Sequence, residues 1–183
     1  MQGEGPEFSR EDWLSAKYKL GLDFPNLPYL IAGDLKVTQS MAILRLVARR
    51  AGLIPEDDLK QTRMDMILHQ ADDLRSAIVR LAYNPDFERL RASVFENSVA
   101  PSVASFSRYL GDKEWFCDEL TIADFVLYEI LDQIRIMEPS LIAEKDNITA
   151  FLRRFESLPA IASYMKTDKF IHRPINNTIA QFK

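Results

Sequence analysis

Hydrophobic and polar positions fall into two regimes along the chain. Before residue 52 the pattern is short-range. Tyr29, Leu30 and Ile31 are strand formers, as are Val37 and Thr38, and Ala32-Gly33-Asp34 between them signals a hairpin turn. Pro28 has no N–H to give a ladder, so it belongs at the first residue of a strand or on an edge. Ser40 precedes an apolar-periodic run over 41–50 and Gly52 follows it, an N-cap and a C′ glycine. Upstream, Ser9 and Asp12 have capping-box spacing for a short helix carrying Trp13 to Leu20 and stopping at Gly21.

After residue 52 the period is helical. Met64, Ile67, Leu68, Ala71, Leu74, Ile78 and Leu81 recur three and four apart over 59–83, and Asn84-Pro85 breaks the pattern. Phe87, Leu90, Val94, Val103, Phe106 and Leu110 predict one long helix over 86–110, closed by Gly111. Thr121-Ile122-Ala123-Asp124 is a capping box, and the segment behind it is apolar nearly all round, as a central helix requires. Pro139 ends that helix; two more are predicted over 147–158 and 160–166, and 168–183 reads as irregular. The stretch 52–58, with Pro55, is a linker. The expected layout is a small α/β piece over 1–52 and an all-helical domain of about five helices over 53–183.

Composition narrows the function. The chain has 183 residues, 47% of them apolar, with Lys+Arg 23 against Asp+Glu 27 and a net charge of -4. That is no basic nucleic-acid footprint. No apolar run approaches the ~18 residues of a membrane span, and the polar, acidic start is not a secretory signal. A single cysteine, Cys117, excludes an internal disulfide and fits a reducing cytosol. Two separated histidines and one cysteine argue against a metal site. Cys117 has no basic or histidine neighbour in sequence and reads as inert.

Several segments carry a resemblance. They are Trp13-Leu14, the run from Lys17 through Leu22-Asp23-Phe24-Pro25-Asn26-Leu27-Pro28-Tyr29 to Ile31, Thr38-Gln39-Ser40, Ala82-Tyr83-Asn84-Pro85, Trp115-Phe116, Thr121-Ile122-Ala123-Asp124-Phe125, Arg154-Phe155-Glu156 and Tyr164-Met165-Lys166. Together they resemble the cytosolic glutathione transferases, and the Leu-Asp-Phe-Pro-Asn-Leu-Pro-Tyr run resembles their mu class. The resemblance implies a partial thioredoxin-like domain followed by the family's helical domain. It further implies that the family's opening strand-helix-strand and its catalytic tyrosine have no counterpart here, so the chain reads as N-terminally truncated. The hairpin sheet is then expected to keep an unpaired edge and exposed apolar surface.

The resemblance also implies a ligand set. Gln39 and Ser40 match holders of the γ-glutamyl end of glutathione, and the positive end of a helix suits a carboxylate; on the residues alone, Ser40 reads as an ordinary N-cap. Asn26-Leu27-Pro28 matches the backbone clamp for the cysteinyl part, with the family's cis proline. Trp13 and Lys17 match ligands of the glycyl carboxylate, with Arg10, Glu11 and Asp12 in the same segment; unaided, Trp13 reads as packing and Lys17 as a solvated lysine. Asp73 matches a carboxylate that a second subunit sends to the glutathione ammonium, with Asp72 on a different face. Tyr83 matches a tyrosine that assists electrophile addition. Phe24 matches a dimer key, Arg45 and Arg49 lie near the expected two-fold axis, and Asp65 is placed to pair with Arg49 across it. Thr121 and Asp124 read as structural.

The leading expectation is a cytoplasmic, homodimeric transferase conjugating glutathione thiolate to hydrophobic electrophiles. Glutathione is its co-substrate, and no cofactor, metal, nucleic acid or membrane is involved. Glutathione's thiol is only slightly ionised at neutral pH, so without the catalytic hydroxyl turnover is expected to be slow. The alternative is a non-catalytic relative that dimerises or binds hydrophobic ligands. The electrophile is not readable from the residues.

Overall fold

The computed structural model describes residues 10–183; the expected Ser9 cap lies outside them. The chain divides into two compact units, Met1–Ile54 and Pro55–Lys183.

The first unit runs α1 (Glu11–Ala16), β1 (Tyr29–Ala32), β2 (Leu35–Thr38) and α2 (Ser40–Arg50). Helix α1 is shorter than expected. The chain leaves it after Ala16 and turns towards Gly21, whose φ is +66°. The Lys36 ammonium donates to the Leu20 carbonyl at 2.8 Å. A Cβ on Gly21 would sit 2.6 Å from that Nζ, the movable end of a flexible side chain, so it is the backbone conformation that selects glycine. The hairpin pairs Tyr29 with Thr38 and Ala32 with Leu35, leaving Gly33-Asp34 as a two-residue loop. Only Gly33 of that pair has positive φ, as a type II′ turn requires.

Helix α2 corrects the expected cap. Its N-cap is Gln39, not Ser40, and no side chain caps the first turn. Its other end is a Schellman motif: the Leu53 N–H bonds the Ala48 carbonyl at 2.9 Å and the Gly52 N–H the Arg49 carbonyl at 3.4 Å. Among the described residues of this unit only Leu22 and Ala48 are buried, while Ile31, Leu35, Leu44 and Val47 are exposed.

The second unit is helical. Helix α3 (Asp58–Ala82) is capped by Asp57, whose carboxylate accepts the Lys60 N–H at 2.8 Å. The predicted single helix over 86–110 is instead α4 (Phe87–Val94), a π-helical turn (Phe95–Val99) and α5 (Ala100–Leu110). Pro101 has no N–H to close the next α-turn, and the Ala100 N–H reaches back to the Phe95 carbonyl, five residues away. The wider turn rotates the apolar stripe. Phe95 and Val99 are buried, whereas the expected Leu90 and Val94 are only half-buried.

Helix α6 (Ile122–Met137) is the apolar centre, with Leu127, Leu131 and Ile134 fully buried. Pro139 does more than end it: it opens a short unexpected helix, α7 (Pro139–Ala143), with proline at the N-terminal position it tolerates. Helices α8 (Asp146–Glu156) and α9 (Pro159–Tyr164) follow. Arg135 of α6 bridges Asp132 and, at 2.7 Å, Glu156 of α8, and the Tyr128 hydroxyl also donates to Glu156. Residues 168–183 form no helix or strand but are anchored: the Gln181 N–H bonds the Ala82 carbonyl at 2.8 Å, and the Phe182 ring lies 5.8 Å from Phe87.

The α6 N-terminus carries the unit's one buried carboxylate among the described residues. Asp124, 0% exposed, accepts from the Thr121 N–H at 2.8 Å, the Thr121 hydroxyl at 3.1 Å and the Phe116 N–H at 3.0 Å. Burial raises its carboxyl above the ordinary range, and these bonds pull it part of the way back. Asp124→Ala strands two backbone donors and is expected to cost about 2–4 kcal/mol in urea unfolding of the helical unit. The raised carboxyl also sets a sign. Its contribution to stability is fullest in acid, below the unfolded pKa, and declines as pH rises through the folded pKa. Asp124→Asn should remove that slope from stability measured against pH; an unchanged slope assigns it to another group.

Candidate functional site

In the first unit, α1 is fixed to the hairpin by Trp13, whose ring stacks on Tyr29 at 6.0 Å and 18°. One turn on, the Lys17 ammonium lies 5.2 Å from the Tyr18 ring centroid. Arg10 is the N-cap of α1 and exposed, with Glu11 and Asp12 in its acidic first turn. The Asn26 carboxamide accepts the Leu27 N–H at 2.9 Å, Leu27-Pro28 is cis, and the Leu27 side chain is 48% exposed.

Gln39 is the anomaly. It has φ +71° and ψ 114°, outside the regions that L-residues favour. Such a conformation costs about 1–3 kcal/mol and clusters at binding sites. It sits at the uncapped N-terminus of an 11-residue helix, next to exposed Ser40. Nothing in the residue pattern signals this strain, because glutamine is not a residue that prefers positive φ. A hollow of about 190 Å³ adjoins it, walled by Leu22, Phe24, Lys36 and Val37 with Gln39 itself. Phe24 remains 74% exposed.

The helical unit carries the rest of the sequence-derived set. Asp73 is exposed on α3, while its neighbour Asp72 is held by Arg75 at 2.8 Å. Tyr83, 38% exposed, ends α3 and its hydroxyl accepts the Asn177 N–H at 3.0 Å. That latch was invisible in the sequence, since 94 residues separate the partners. An apolar hollow of about 170 Å³ is bordered by Met66, Ile67 and Gln70 of α3 and Ser105, Phe106 and Tyr109 of α5. Arg45 (half-buried) and Arg49 (exposed) lie on α2, and Asp65 on α3. Cys117 is buried and burial raises its thiol, so it is a poor nucleophile. Among the described residues, no group of three or more potential metal ligands occurs and no helix is long and apolar enough to cross a membrane.

Two family models match the chain. Residues 1–49 match the glutathione S-transferase N-terminal domain and residues 72–168 the glutathione S-transferase C-terminal domain. The fold and this pair of matches define one class of protein, the glutathione S-transferases. The crystal structure of the glutathione S-transferase Blo t 8 superposes with a TM-score of 0.85 at 31% identity, covering 93% of this chain and 82% of that one. The pi-class glutathione S-transferase of Onchocerca volvulus superposes with a TM-score of 0.82 at 25% identity, covering 97% and 86%. In sequence the chain is 45% identical to human glutathione S-transferase Mu 3 over 98% of its length and 80% of that protein's. It is 43% identical to glutathione S-transferase Y1 of Cricetulus longicaudatus, over 98% and 83%. The chain belongs to the mu class of the glutathione S-transferase family.

Removing the Tyr83 hydroxyl tests the latch. Tyr83→Phe is expected to speed amide exchange at Asn177 severalfold, consistent with loss of one hydrogen bond worth about 0.5–1.5 kcal/mol. Exchange at residues in α6 should not change.

Proposed function

We propose that this chain binds glutathione through its first unit and adds the thiolate to a hydrophobic electrophile, acting as a cytoplasmic homodimer. The observation that carries this reading is the α2 N-terminus, where strained Gln39 precedes a first turn that no side chain caps. Its N–H groups and the Ser40 hydroxyl suit the γ-glutamyl carboxylate, and the helix dipole adds to the attraction. Leu27 offers its backbone to the cysteinyl part beside Pro28, in the manner of an added strand. Its N–H is now held by Asn26, so the Asn26 carboxamide has to release or share that donor. Trp13 and Lys17 take the glycyl carboxylate, flanked by Arg10, Glu11 and Asp12, and Asp73 of a second copy takes the ammonium. Tyr83 serves the electrophile.

The dimer reading rests on two complementary shapes. Phe24 is an exposed ring, and the apolar hollow bordered by Met66 and Phe106 offers about 170 Å³, enough for a phenyl group. An aromatic anchor in a dry pocket is the usual interface hot spot. Arg45, Arg49 and Asp65 then flank the axis.

The second reading, a non-catalytic relative, is favoured by one observation: the described part of the first unit buries only Leu22 and Ala48. Calorimetry should show glutathione binding that weakens roughly tenfold in Ser40→Ala, the loss of one charge-assisted hydrogen bond. Equal affinity in that variant removes the α2 terminus from the site. Conjugation of an aryl halide at the rate of intact mu enzymes would sink the non-catalytic reading. Phe24→Ser should shift the protein towards monomer in sedimentation, and an unchanged dimer would remove Phe24 from the interface.

A further inference from the structure

A second cavity, of about 300 Å³, lies wholly within the helical unit, where the start of α3 and the end of α5 meet the 111–120 loop. Three cations line it, Lys60, Arg63 and Lys113, against one carboxylate, Asp118. Such a surplus is unexpected on a chain of net charge -4. Among the described residues, neither Arg63 nor Lys113 makes an ion pair. The Lys113 ammonium instead lies 4.2 Å from the Tyr109 ring centroid and 3.5 Å from the Phe116 carbonyl oxygen, both weak substitutes for an anion. Lys60 is bridged to Glu119 at 2.8 Å, and Asp118 and Asp57 are its other acidic neighbours. Tyr109 stacks on Phe116 at 6.4 Å and 10°, giving the cavity an aromatic wall. None of these residues belongs to the glutathione-binding set.

We propose that this cavity is a second ligand site, taking a small phosphomonoester. Two unpaired cations and a third bridged to an exposed carboxylate match a dianion better than a monocarboxylate. The Arg63 guanidinium offers the planar fork that phosphate oxygens accept. A bare phosphate underfills about 300 Å³, which lies at the small end of ligand pockets, so the ester group occupies the remainder beside Tyr109. Tyr109 stays protonated at neutral pH, since burial raises its phenol further, and is available as a donor. Lys60 is the adjustable element: the incoming dianion competes with Glu119 for it.

The test is a calorimetric titration of the full chain with phenyl phosphate at low ionic strength, with and without saturating glutathione. Binding is expected in both, at least tenfold weaker in Arg63→Gln/Lys113→Gln and severalfold tighter in Glu119→Gln, which frees Lys60. Phenol should bind at least tenfold more weakly than phenyl phosphate, and glutathione affinity should match wild type in both variants. The gain expected in Glu119→Gln does not depend on the double variant's folding. No binding, equal affinity across the variants, phenol binding as well as its phosphate, or displacement by glutathione would each overturn the proposal. Glutathione failing to bind while phenyl phosphate follows the expected pattern would overturn the glutathione reading and leave this one standing.

Discussion

The carboxylate of Asp124 holds the helical unit in register. It is fully buried and accepts three hydrogen bonds, two from Thr121 at its own helix terminus and one from the Phe116 backbone. A buried charge without such partners would be strongly destabilising. Because one of the donors comes from the preceding loop, the same group that starts α6 fixes Phe116. That ring is fully buried and meets Phe106 and Phe151 edge-on. Helix start, loop path and the aromatic contact between α5 and α8 thus depend on one side chain.

The 111–120 loop that this anchor fixes also bounds the cation-lined cavity, so its shape follows from the same constraint. The other end of the unit is organised differently. Residues 168–183 are held by backbone bonds to Ala82, by the Tyr83 hydroxyl and by Phe182 against Phe87. The partners Ala82 and Phe87 are buried, and Ala180 of the tail is buried with them. The unit therefore pairs a buried centre on α6 with an irregular tail anchored beside Tyr83, a residue proposed to serve the electrophile.

The first unit inverts the usual balance. It buries little among its described residues, yet it stores backbone strain at Gln39. The Trp13–Tyr29 stack, the Lys36–Leu20 bond and the Schellman motif after α2 are its other local ties. Strain at an uncapped helix terminus favours an anion that completes the missing hydrogen bonds, which is the physical link between this unit's local geometry and the binding proposed for it.

Much of this was legible in the residues. Strand formers on either side of Ala32-Gly33-Asp34 marked the hairpin, because turn chemistry is local. Thr121 and Asp124 marked the start of α6, because capping chemistry is local. The apolar spacing of α3 identified its buried face. The words from Trp13 to Ser40 carried the family. Other features depended on contacts that sequence spacing does not encode. The π-turn before Pro101 moved burial onto Phe95 and Val99, since a single missing N–H shifts register only when the packed neighbours accept it. Gln39 replaced Ser40 at the cap because the preceding strand delivers it with positive φ. The Tyr83–Asn177 latch and the meeting of Lys60 and Arg63 with Lys113 arise between residues distant in sequence. Only the packed helices bring them together, because hydrogen bonds and charges act through space rather than along the chain.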